Sequence, residues 1–399
     1  MSTQFLDNRD LLTGLPDTDY YAPDFRVLVE GRELDALTHG DILDLKVTMD
    51  IESLTSFDLT VNNWDDRSFD FKYSDTTTFD IGKRVDIQMG YANQLRFMAS
   101  GIVQTLAPRF PESGAPTLAV SGVDRRVRLR DRRPTPGDVT QFVNKADWQI
   151  AQVVAERNGL ESNVTRQGVE HPIVVQRNQD DLTFLMERAK RIDFDFYLRV
   201  DPLTGKDVLF FVSPTDNRDA RRARTYVFEW GKNLINYSTQ LTLNRQVASV
   251  TVRGWDPTTK ERITYTATPR DLPEASGGGG NGPQAAQTRL ANRQDFVVDQ
   301  PVSSTQEARD LAVSHLRERA YQFLTGTGSV IGLPDMRPGD VVELRGLGRR
   351  FSGTSDAPIQ YYVKKVTHTL GGSGYQTQFE VRSTADGGTR AGGGEGGAS

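Results

Sequence analysis

The sequence predicts a mainly β chain with an α+β insert: two β-barrels flanking a small α/β domain. Three observations carry that expectation. Short runs of alternating apolar and polar residues recur toward both ends of the chain. Apolar residues at helical spacing are concentrated between them. The 399 residues include 36 glycines and 18 prolines with a hydrophobic fraction of 37%, which favours many short strands joined by turns.

Residues 1–21 read as an N-terminal arm: Leu11, Leu12 and Leu15 give apolar content without a sustained period. The first barrel is expected over 22–130. Phe25 to Val29 begins it, and Glu30-Gly31-Arg32 turns the chain. Leu43, Leu45, Val47, Met49 and Ile51 then alternate with Asp44, Lys46, Thr48 and Asp50, the pattern of a strand with one buried face. Phe57, Leu59 and Val61 continue it, followed by Val85, Ile87 and Met89, by Gly101-Ile102-Val103, and by Leu118 to Val120.

The insert is expected over 131–235. Trp148, Ala151 and Ala155 mark a helix face with Asn158-Gly159 as its stop. Leu182, Leu185, Met186 and Ala189 mark a second, capped by Asn178 or Asp180. Phe194 to Val200 and Val208 to Val212 then read as paired strands.

The second barrel is expected over 236–385, with strands near Leu241, Val247 to Val252 and Arg262 to Thr268, a flexible loop over Gly277 to Gly282, and a helix over 304–320. Ser304 and Glu307 have capping-box spacing. Pro338-Gly339-Asp340 turns into a strand, and Tyr361 to Leu370 pairs naturally with Tyr375 to Arg382. Residues 386–399 are expected to form a Gly-rich, disordered tail. The two β modules form an internal duplication in element order, not in sequence identity.

Composition excludes several classes. No cysteine is present, so disulfides, thiolate metal sites and thiol nucleophiles are excluded, and a reducing compartment fits. A net charge of −5 argues against general nucleic-acid binding, and no apolar run is long enough to span a membrane. His39, His171, His315 and His368 lack chelating spacing, so no metal is expected. Neither Gly326-Thr327-Gly328 nor the glycines at 277–280 open a helix with a phosphate-loop lysine, and no nucleophile elbow occurs, so no cofactor and no catalytic residue is expected. Carboxylates are plentiful enough for a glycosidase pair, which sequence does not exclude.

Two basic runs stand out: Arg125, Arg126, Arg128, Arg130, Arg132 and Arg133, then Arg218, Arg221, Arg222 and Arg224. Each reads as a solvated face or as a docking surface for an acidic partner, since the guanidinium forks onto carboxylates. Nucleic acid fits less well, because no aromatics are interleaved. Reversing the charges of Arg125 to Arg133 is expected to weaken assembly and leave the fold intact. His368 lies on a strand and is expected to close the barrel or touch a neighbouring subunit.

Several motifs resemble the late control protein D family of phage tail hubs, and the hub region that begins valine-glycine repeat spikes of type VI secretion. The carriers are Gln176 to Leu185, Pro334 with Pro338-Gly339-Asp340, Val366-Thr367-His368, Gly374-Tyr375-Gln376-Thr377, Ser56 to Val61, Gly82 to Gly90, and Gly101-Ile102. The acidic-Gly turn at Glu30-Gly31 matches approximately. The resemblance covers about residues 22–384 and implies hub-type barrels in a non-enzymatic baseplate hub of a contractile tail-like particle. It implies a homotrimer forming a pseudo-sixfold ring, which joins a hexameric tail tube to a trimeric spike on a separate chain. Tube-initiator and baseplate wedge proteins would be further partners. Assembly would occur in the bacterial cytoplasm, for a phage tail or an injection particle released outside the cell. The candidate partner interface is Arg125, Arg126, Arg128, Arg130, Arg132, Arg133 and His368. A tail-associated cell-wall hydrolase or a free carbohydrate-binding β module are the alternatives.

Overall fold

A computed structural model describes residues 19–92, 94–131, 133–135, 137–192, 194–200, 206–212, 224–256, 260–272, 279–298, 302 and 304–388. The chain is mainly β. Its dominant feature is a 13-stranded sheet that runs through both ends of the sequence.

The first module contributes β1 (Asp19–Val29), β2 (Ile42–Asp50), β3 (Ser56–Asn62), β4 (Arg84–Ala92), β5 (Gln94–Arg109) and β6 (Thr117–Asp124). Their spatial order is β2-β3-β6-β5-β4-β1, with the two-residue strand Arg32–Glu33 beyond β1. The alternation read from the sequence places Leu45, Val47, Met49, Phe57, Leu59, Val61, Ile87 and Met89 in one core. Each such side chain contributes about 1.5–3 kcal/mol on burial. A short helix, α1 (Ala36–Gly40), starts at Asp35, whose carboxylate accepts from the Leu37 and Thr38 amides.

The insert contains α2 (Val127–Asp131), β7 (Gln141–Lys145), α3 (Asp147–Arg157), β8 (Glu161–Val164), β9 (His171–Val175), α4 (Asp181–Arg191), β10 (Asp195–Val200) and β11 (Asp207–Val212). β7 and β9 form a two-stranded sheet; β8, β11 and β10 form a three-stranded one. Phe142, Ile150, Val154, Leu185 and Phe211 fill the space between sheets and helices. Asp180 is the cap of α4, and Asn158 ends α3 with Gly159 at φ +66°. In the connection between β10 and β11, residues 201–205 lie outside the described residues.

The second module consists of β12 (Thr225–Glu229), β13 (Asn236–Leu241) and, after an excursion through β14 (Ser249–Asp256), β15 (Glu261–Ala267), α5 (Gly282–Arg289), β16 (Gln294–Val297) and α6 (Thr305–Ala320), the strands β17 (Leu324–Ile331), β18 (Val341–Arg345), β19 (Gln360–Gly371) and β20 (Gly374–Ser383). The helical turn α7 (Arg349–Ser352) lies between β18 and β19. Two strand assignments differ from the sequence reading. Thr225–Glu229, expected in the insert, pairs in parallel with β18. Residues 249–297, expected in the barrel, form a separate sheet in the order β15-β14-β16. The reason is α6, whose Ala308, Leu311, Ala312 and Leu316 cover Val250, Val252, Ile263 and Val297 and give these strands a core of their own. The stretch Gly277 to Gly282 also differs: Gly282 is buried and opens α5, capped by the Asn281 side chain on the Gln284 amide, while the glycines through 278 lie outside the described residues. At the ends, residues 19–21 belong to β1, and Asp386 is buried against Arg350, 3.4 Å away; residues 1–18 and 389–399 of the expected arm and tail lie outside the described residues.

The second module follows the order β13-β17-β20-β19-β18-β12, strand for strand the order of the first. An isolated bridge between Trp230 and Leu234 lies in the turn from β12 to β13, and the strands pack around Phe228, Leu344, Tyr361, Val363 and Phe379. The likeness extends to single bonds. Gly82 N–H donates to Val103 O (2.9 Å) and Val103 N–H to Lys83 O (3.0 Å); Gly339 N–H donates to Val363 O (2.8 Å) and Val363 N–H to Asp340 O (2.9 Å). Both glycines have positive φ, +86° and +91°, which a side chain would strain. Both long strands are then bulged at the next residue, between Val103 and Thr105 and between Val363 and Lys365. One difference is orientation: β1 lies antiparallel to β4, β12 parallel to β18.

The modules are joined by a ladder. β19 pairs antiparallel with β2, from Lys365 opposite Asp50 to Gly371 opposite Asp44. Side chains reinforce it: Tyr91 Oη donates to Gly332 O (2.8 Å), Arg337 to Phe97 O (2.8 Å), and Arg96 pairs with Asp335 (3.3 Å).

The insert is held to α6 by buried ions. His171 bridges Asp147 (3.0 Å) and Glu307 (3.3 Å), Arg188 bonds Asp147, and Arg191 pairs with Glu307 (2.8 Å). Ser304 caps α6 through the Glu307 amide, as expected, but the Glu307 carboxylate turns to this cluster. Burial alone would lower the His171 pKa; its bonds to Asp147 and Glu307 outweigh that and raise it. Burial would raise the Asp147 pKa, and His171 and Arg188 hold it below the usual carboxylate value.

Candidate assembly surfaces

The arginine run does not form one face. Arg126 is 7% exposed, with its Nε 3.1 and 3.0 Å from the two Asp124 carboxylate oxygens, and it also donates to the carbonyls of Phe196 (3.1 Å) and Ser53 (3.2 Å). It therefore ties the β2–β3 connection to β10 of the insert. Arg125 pairs with Asp207 (2.8 Å), both largely buried; burial lowers the arginine's pKa and raises the aspartate's, each opposed by the other's charge. These two side chains are structural, so the expectation that charge reversal across the whole run would spare the fold is corrected. Arg128, Arg130 and Arg133 are exposed, with Arg133 3.3 Å from Asn178 Oδ1. Arg132 lies outside the described residues, as do Arg218, Arg221 and Arg222; Arg224 pairs with Asp335 (2.8 Å).

His368 is 0% exposed and so cannot reach a neighbouring subunit from this fold. A carbonyl can only accept, so its Nε2–H donates to Met336 O (3.1 Å) and its Nδ1 faces the hydroxyls of Tyr375 (3.0 Å) and Thr377 (3.2 Å). It stands opposite Val47 in the β19–β2 ladder, so its place is the joint between the modules.

Sequence reasoning missed the backbone edges. β5 is 16 residues long, and β4 pairs with it only as far as Ile102. From Gln104 to Arg109 no strand lies on that side among the described residues, and all these residues but Leu106 are exposed. Val103 turns its amide and carbonyl to that side, the bulge keeps Gln104 there, and alternation adds Leu106 and Pro108. β13 ends the path of the large sheet. Thr242 N–H donates to Phe323 O beside β17 (2.9 Å), so alternation points Ser238 and Gln240 toward β17 and Tyr237, Thr239 and Leu241 away. The signal in the sequence would have been length, since β5 outruns its partner.

An aromatic cluster adjoins the end of β5. Trp64 packs on Phe69 (6.3 Å between centroids) and Phe71 (5.5 Å), and Phe71 on Phe110 (5.4 Å); Phe69 and Phe110 are 76% and 61% exposed. A polar groove of about 430 Å³ crosses the outer face of the second module, where Lys364 and Arg382 both pair with Glu52. No group of three or more His, Asp or Glu side chains among the described residues is arranged to hold a metal. No helix of the described residues is long and apolar enough to cross a membrane.

Solved structures share this architecture. The 43 kDa tail protein of prophage MuSo2 from Shewanella oneidensis is 16% identical, with a TM-score of 0.63 over 90% of this chain and 98% of that one. A tail protein from Neisseria meningitidis is 12% identical, with a TM-score of 0.62 over 91% and 97%. A type VI secretion system component from E. coli, described as structurally similar to bacteriophage T4 tail proteins, is 13% identical, with a TM-score of 0.51 over 88% and 76%. No curated protein matches by sequence. The chain thus has the fold of phage tail and type VI secretion proteins. A family model described as the Alg8 N-terminal domain matches residues 21–371, and the chain belongs to that family.

Proposed function

We propose that this chain is the non-enzymatic hub of a contractile tail-like particle, a homotrimer that joins a hexameric tail tube to a trimeric spike. The observation that carries this reading is the repetition of one six-strand order in two modules fused through a continuous sheet. A chain with two like modules presents six of them when three copies close into a ring. A threefold body then offers a near-sixfold face to the tube and keeps threefold symmetry for the spike. The tail and secretion proteins that share the fold support the setting. Arg128, Arg130 and Arg133 remain candidates for contact with an acidic surface of a tube-initiator or baseplate wedge protein.

The test is the solution mass of the purified chain, alone and with its spike, together with negative-stain images. Three chains per particle and ring-shaped projections are expected. A stable monomer without rings, even with the spike present, overturns the reading. Clearing of a cell-wall suspension would instead favour a hydrolase, and a monomer that binds glycans a carbohydrate module.

A further inference from the structure

We propose that Gln104–Arg109 of β5 pairs antiparallel with β13, Asn236–Leu241, of a second copy of this chain, in the register that β19 makes on β2. The inference rests on the ring reading and adds its seam: which edges meet and which residues stand opposite one another.

The chain carries the template for this contact. In the second module the bulged strand β19 gives its first half to β18 and its second half, beyond the bulge, to β2 of the first module. In the first module the bulged strand β5 gives its first half to β4, and its second half faces no strand among the described residues. The strand equivalent to β2 is β13, and its outer edge is likewise without a strand among the described residues. One edge of each kind found at the internal joint is thus left over: that of β13, at one end of the sheet, and that of the second half of β5, where it outruns β4.

The register follows from the ladders. The shared bulge aligns Val103 with Val363, so Leu106 takes the place of Val366 and Pro108 that of His368. Ser121 then takes the place of Glu380, and tracing through Ser56 opposite Val123 and Thr325 opposite Arg382 aligns Thr48 with Gln240. Val366 stands opposite Met49 and His368 opposite Val47. The seam therefore sets Leu106 opposite Leu241, Ala107 opposite Gln240 and Pro108 opposite Thr239. Backbone phase agrees: Leu106 and Pro108 on one edge, and Leu241 and Thr239 on the other, are the residues that point outward. Pro108 lacks an N–H, so the seam has one bond fewer than the internal joint, while its carbonyl still accepts. Two different edges meet, so the contact is head to tail, the kind that closes into a ring. Main-chain pairing supplies the attraction, as in strand addition to any open sheet edge.

The absence of cysteine permits a direct test. Ala107→Cys and Gln240→Cys face each other across a non-hydrogen-bonded pair, the closer of the two kinds of cross-strand position. On oxidation with diamide, the full-length double variant is expected to form covalent dimers and trimers, and each single variant none. For the unmodified chain, hydrogen exchange at the Leu106, Thr239 and Leu241 amides is expected to slow at least tenfold in the assembled form relative to chain diluted to monomer. A multi-chain particle with neither cross-link nor protection overturns the seam and leaves the ring reading standing. A monomer throughout overturns both. Protection that arises only on adding a different tail protein assigns the edge to that protein and overturns the proposal.

Discussion

Arg126 and Arg128 are two residues apart and have unrelated roles. The first holds Asp124 and two carbonyls in a buried site; the second stands in solvent. Arg126→Met is expected to cost about 1.5–3 kcal/mol, because it removes charge-assisted bonds to Asp124 and to the Phe196 and Ser53 carbonyls, while the Thr55 and Arg126 amides still donate to the carboxylate. Arg128→Glu, Arg130→Glu and Arg133→Glu should each stay within about 0.5 kcal/mol. Urea unfolding midpoints of the four variants separate the two groups. Gly326 is a second position where one atom matters: a Cβ there would lie 2.1 Å from the Tyr237 hydroxyl oxygen. Gly326→Ala is expected to cost about 1–3 kcal/mol through overpacking, read from the same midpoints. Sequence composition could not sort the arginines, since a run of like charges carries no mark of which side chain turns inward. His368 was legible as a strand residue, and its two alternatives were separable only by burial.

Among the elements, α6 did the most to reorder the sequence reading. Its apolar face was visible in Ala308, Leu311, Ala312 and Leu316, but what it covers was not, so the strands from Ser249 to Val297 read as barrel strands. Periodicity reports that one face is buried and is silent on the partner. The link between α6 and the insert was invisible for a related reason, because His171, Asp147, Arg188 and Glu307 are far apart in sequence. That link has a pH signature. His171 has a raised pKa in the folded chain, so its contribution is complete below the ordinary imidazole value of about 6.5 and is lost as pH rises through the raised value. Asp147 has a lowered one, so its contribution is complete above about 3.9 and is lost as pH falls through the lowered value. Stability is therefore expected to decline on the alkaline side of about pH 6.5, and His171→Gln to flatten that limb. Thermal unfolding across pH 5 to 9 measures both.

At the scale of the molecule, the duplication was legible in outline, because alternating runs bracket helical ones. The identity of the two strand orders was not, since Leu45 and Tyr237, or Val47 and Thr239, occupy matching places with little chemistry in common. Backbone edges leave still less trace, because main-chain groups are the same in every residue. What the sequence could not display is that the two modules are continuous. From Asp44 to Asp50 the first module is stitched to the second by backbone pairs running along the strand direction. A load directed along these strands would cross from one module to the other in shear, shared among neighbouring hydrogen bonds that lie across it, instead of hanging on a connecting loop. The pair would then move as one stiff plate, and a particle built from such plates would yield at its joints between chains before it yielded within any of them.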